Sequence, residues 1–134
     1  MLFLHPRVVS FGGVDWSGVE SVAVERVAAR SFVEFGDTGP HAVLADVPEQ
    51  RVEVRVTQEL LGEDMDVPRP GEQGTLEFET SPNSAGAGRR RVSMTAVVLG
   101  VKYQVSRKGG SSRTVDLVAI SADGAADPVT VEAV

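Results

Sequence analysis

Arg51-Val52-Glu53-Val54-Arg55-Val56-Thr57 alternates strictly between valine and polar residues. An extended backbone sends successive side chains to opposite faces, so the three valines share one face and the charges the other. That is the pattern of a half-buried antiparallel strand. Working outward, Thr75-Leu76-Glu77-Phe78-Glu79 repeats it, and so does Thr114-Val115-Asp116-Leu117.

Toward the N-terminus, Arg7 to Phe11 reads as a strand with Val9 and Phe11 on one face. Gly12-Gly13 forms a turn able to take positive φ, and Val14-Asp15-Trp16 returns as the second arm of a hairpin. In 17–31, Ser17 and Glu20 have capping-box spacing, and Val19, Ala23 and Val27 recur at helical intervals. The β-branched residues there favour a pleated backbone, and we read a strand. Ser31 to Glu34 continues that strand or starts another, Gly36-Asp37-Thr38-Gly39-Pro40 is a turn, 41–45 a short apolar strand, and Asp46-Val47-Pro48 its end. After the central strand, 58–65 has helix-friendly composition and reads as one or two turns, stopped by Pro68, Pro70 and Gly71. The 58–73 and 81–91 segments read as protruding loops.

Along 92–101 the apolar face changes, with Val92, Met94 and Ala96 on one side and Val97, Leu99 and Val101 on the other. Such a change marks either a bulge, with Gly100 at the bend, or a strand covered on both faces. Lys108-Gly109-Gly110-Ser111 marks another hairpin loop, and 128–134 either adds an edge strand or forms a tail. Short strands with frequent turn signals and at most one or two short helices make an all-β fold, an antiparallel β-sandwich or barrel. At 134 residues, 1–134 is expected to form a single domain.

Composition narrows the chemistry. The chain has no cysteine, so neither disulfides nor thiolate metal sites are available to it. The opening Met-Leu-Phe-Leu is too short for a secretory signal, and no apolar run reaches the length of a membrane span. Net charge is −6; residues 1–80 carry 15 acids and 6 bases, and residues 81–134 carry 4 acids and 7 bases. An acidic chain lacks the cations that nucleic-acid affinity rests on; the uneven charge is either clustered solvated surface charge or an acidic surface that meets a basic one and steers self-association.

No catalytic constellation emerges. His5 and His41 stand alone, and the Glu63, Asp64 and Asp66 cluster lacks EF-hand spacing. No serine sits in a nucleophile-elbow motif, and the glycine loops precede strands rather than helix N-termini. Glu77 and Glu79 lie on one strand face, without the aromatics that a sugar site would use. We expect no enzyme, no cofactor and no metal. Arg89-Arg90-Arg91 is the basic run, and Trp16 serves core or hairpin packing or an interface.

The plan resembles that of the tail tube proteins of long-tailed bacteriophages, which share a fold with the tube protein of type VI secretion. The residues that carry the resemblance are the hairpin at 7–16, the valine-rich strand after it, the loop over 58–73 and the long alternating strands of the second half. The resemblance implies a virion structural protein that assembles with itself into stacked hexameric rings. Those rings would conduct DNA through an acidic lumen without binding it specifically. It implies no membrane partner, contacts with other tail proteins, assembly in the host cytoplasm and residence in the virion tail. Under it, Glu53, Glu77 and Glu79 are candidate lumen acids. Glu63, Asp64, Asp66, Arg89, Arg90 and Arg91 are candidate inter-subunit contacts. A tail adaptor, initiator or terminator, a secretion-system tube component, or a small ligand-binding β-sandwich is the alternative.

Overall fold

The computed structural model describes residues 2–4, 6–60, 68–80, 89–106 and 110–134. Its strands are β1 (Leu2–Leu4), β2 (Arg7–Phe11), β3 (Val14–Asp15), β4 (Val19–Phe35), β5 (Ala42–Leu60), β6 (Gln73–Thr80), β7 (Arg90–Ser106), β8 (Gly110–Ile120) and β9 (Thr130–Ala133). All pair antiparallel in one sheet of order β1-β4-β5-β8-β7-β6-β2-β3, with β9 on β7. The protein is all-β, and among the described residues there is no helix.

The sheet has to curl. β3 ends one side of the strand order and β4 lies near the other, yet only residues 16–18 join them. Four residue steps reach at most about 14 Å, while six strand spacings in a flat sheet would span about 29 Å. Rolling the sheet into an open barrel brings the two sides together and stacks the inner faces. Val9, Phe11, Val22, Val52, Val54, Val56, Leu76, Phe78, Val92, Met94, Ala96, Val98, Val115, Leu117 and Ala119 form that core. Leu76 and Phe78 are wholly buried, and each such side chain stabilises the fold by about 1.5–3 kcal/mol.

Local chemistry fixes the joins. Gly12 and Gly13, with φ of 60° and 83°, make the β2–β3 turn expected of the pair. At Gly18, φ is +70° and an added Cβ would lie 2.7 Å from the Glu59 carbonyl oxygen, so only glycine fits. The Glu59 amide donates to the Gly18 carbonyl at 2.9 Å and ties the crossing to β5. Below it, the Gln58 side-chain amide donates to the Ser17 carbonyl, and the buried Arg113 donates to the Gln58 side-chain oxygen. Arg113 also lies 5.0 Å over the Trp16 ring, which packs 5.4 Å from Phe11. Trp16 thus serves the hairpin and core.

Several boundaries differ from the sequence reading. Residues 58–60 extend β5 rather than opening a helix, because Gln58, Glu59 and Leu60 pair with Arg113, Ser112 and Ser111; residues 61–67 lie outside the described residues. The strand expected at 41–45 does not stop at Pro48 but runs through it as one strand with 51–57. Pro48 is tolerated because β8 flanks β5 only from Val52 onward, leaving an open edge. Segment 17–31 is strand from Val19 onward rather than helix, and the strand continues to Phe35. The β7 bulge lies between Val98 and Gly100. Val98 therefore stays with the core while Leu99 points out at 56% exposure. The C-terminal segment adds β9, in line with β8 along the same edge of β7.

Candidate functional site

The two strands of the β4–β5 hairpin outrun the barrel. Their ladder continues from Ala28↔Gln50 to Phe35↔Ala42 with several register shifts, beyond the last β5–β8 pair at Val52↔Ala119. The result is a two-stranded arm over residues 28–51, projecting roughly 23 Å. Phe32, Val33, Phe35, Val43, Leu44 and Val47 are 40–70% exposed on it. Arg30 stacks 5.1 Å over Phe32 and lies 3.9 Å from Glu49. Glu34, Asp37 and Asp46 along the arm have no ion-pair partner among the described residues. Val33, Val43 and Val47 share one face with Ala45, and Phe32 and Leu44 lie on the other; exposed apolar surface of this kind marks an interaction site.

At the base of the arm the core opens into a groove of about 590 Å³, lined by Val24, Val27, Val92, Val129 and Val131 together with Glu25 and Arg26. The groove falls between β4 and the end of β7 that carries β9. A bidentate pair from Arg26 to Asp127, at 2.9 and 3.1 Å, spans the same place. That hydrogen bonding, with help from the Val129 amide, holds the Asp127 carboxyl below its ordinary value. Asp123 is lowered too, first by the Ala126 and Ala125 amides and then by the Ser121 hydroxyl, as the turn that leads from β8 to β9 closes on it.

The sequence-expected acids share one face. Glu53, Glu77 and Glu79 sit at register positions opposite to the core valines, on the solvent side of the sheet. Each meets an arginine: Arg51 reaches Glu53 at 2.8 Å, and Arg91 reaches Glu77 at 3.1 Å and Glu79 at 3.4 Å. Arg55 on this face pairs with Asp116 at 2.9 Å, which raises the arginine's proton affinity. These three acids are held in ion pairs, while Glu25 and Glu59 on the same face have no ion pair among the described residues.

Of the expected contact residues, Arg91 is therefore engaged within its own chain, while Arg90 is exposed at the start of β7. Glu63, Asp64 and Asp66 lie outside the described residues. Among the described residues, no group of three or more metal-ligating side chains is assembled, and no helix is long and apolar enough to cross a membrane. Sequence reasoning missed the arm. The signal was present in Phe32, Val33, Val43 and Leu44, but the turn residues and Pro48 split it into short strands. No protein-family model matches the chain, and no curated protein matches it in sequence.

Proposed function

We propose that this protein is a structural subunit that works by self-association, in the manner of a ring-forming tail tube component of a long-tailed phage virion. The observation that carries the reading is the unpartnered arm, whose apolar side chains and open strand edges a lone subunit leaves in water. Exposed strand edges and apolar ribbons invite pairing with another chain, and a heterologous contact that closes on itself makes a ring. In such a ring the paired face suits passage of DNA. Arg51, Arg55 and Arg91 are held by carboxylates, so they offer phosphate less grip than free cations would.

The test is the mass of the untagged protein in solution across concentration and salt, with negative-stain images of the same samples. Hexameric rings or tubes are the expected result. A monodisperse monomer at every concentration overturns the reading.

A further inference from the structure

Two apolar surfaces lie on this one chain, and they cannot meet within it. The first is the arm, where Val33 and Ala45 face each other across the hairpin and Val43 and Val47 flank Ala45 along β5. The second is the groove at the arm's base, where Val24, Val27, Val92, Val129 and Val131 outnumber the two charged lining residues, Glu25 and Arg26. Val24 and Val27 belong to the same continuous strand as the arm. Folding the arm back onto its own groove would break the ladder that defines it.

Charge follows the same division. The arm's tip turn carries the exposed Asp37, while Glu34 and Asp46, opposite Leu44 and Phe32, lie on the ribbon's other face. Arg90 lies two residues beyond the groove-lining Val92 on the same face of β7, opposite Ala133, which stands two residues beyond Val131. No carboxylate among the described residues pairs with Arg90. An apolar ribbon with an acidic tip thus faces the requirements of an apolar groove with a cation beyond its end.

We propose that the arm of one copy docks in the groove of a second copy, its Val33, Val43 and Val47 face on Val24, Val27 and Val131 and its tip acid Asp37 toward Arg90. The contact is heterologous: each copy gives an arm and receives one, so it propagates until it closes. It rests on the self-association reading and specifies which surfaces make it. Apolar burial supplies the affinity, and the opposed charges set the direction and the encounter rate.

The experiment is analytical ultracentrifugation of the full chain, of an arm variant (Val43→Asp), of a groove variant (Val131→Asp) and of their equimolar mixture. Circular dichroism checks that each variant is folded, with Val33→Asp and Arg90→Glu as the second arm and groove variants. Each variant alone should need at least about tenfold more protein to associate. The mixture should give a one-to-one pair that grows no further, because the arm variant keeps its groove and the groove variant keeps its arm. Association of both variants at the wild-type concentration overturns the proposal and leaves self-association standing. Loss in the arm variant alone, with no pair in the mixture, overturns it in favour of arm-to-arm contact. A wild-type chain that stays monomeric overturns both.

Discussion

Val54 and Val43 occupy one strand, yet Val54 is 2% exposed and Val43 is 70% exposed. Both halves of β5 are apolar and both pair with β4. They differ in the other neighbour: β8 flanks β5 from Val52 to Leu60, and nothing described flanks residues 42–51. The barrel half buries its valines because a curled sheet supplies an opposite wall. The arm half has two strands alone, and a two-stranded ribbon has no second layer to cover it. An apolar side chain stabilises the subunit only where the rest of the chain encloses it.

The contrast can be broken most severely in the core. Phe78→Ala should destabilise the folded subunit by about 3–5 kcal/mol in denaturant titration, because it empties a fully buried site. Phe35→Ala on the arm should stay within about 0.5 kcal/mol in the monomer. A comparable loss at both positions would mean that the arm is enclosed in solution. Gly18→Ala comes next, at about 1–3 kcal/mol, since it meets both a positive φ and the Glu59 carbonyl; wild-type stability in this variant would refute the close crossing. Val54→Ala should cost about 2 kcal/mol, while Val43→Ala should be neutral to the monomer's melting temperature and weaken its association.

A smaller effect concerns the Arg26–Asp127 pair at the edge of the groove. The folded Asp127 carboxyl is lowered below its unfolded value. Its stabilisation is therefore fully present above the unfolded value of about 3.9 and is lost as pH falls through the lower folded value. Asp127→Asn should reduce the melting temperature slightly at neutral pH, and the gap from wild type should shrink below about pH 4. A gap that widens on acidification would contradict the pairing. Amide hydrogen exchange offers the gentlest test, with residues 42–51 expected to exchange faster than 52–60.

Much of the sheet was legible because alternation is a local property. The 51–57 run, the 75–79 run and the 12–13 turn declare their faces and direction within a few residues. Gln58 to Leu60 misled because Glu and Leu favour a helix on their own, while pairing with β8 holds them extended. Pro48 misled for the opposite reason: it ends a central strand but not an open-edged one. The paired acids were legible as a face, but their arginines were not all assignable. Arg91 reaches Glu77 and Glu79 only because β6 and β7 align them.

From its own pattern the chain determines that it is β-structured, where it turns and which side chains share a face, because period and turn chemistry act between neighbouring residues. Which of those faces becomes interior is decided at long range. β8 ends at Ile120, where the turn around Asp123 carries the chain away from β5 and onto β7 as β9. That departure leaves residues 28–51 without a wall, and no local period encodes the loss of a neighbour so distant in sequence.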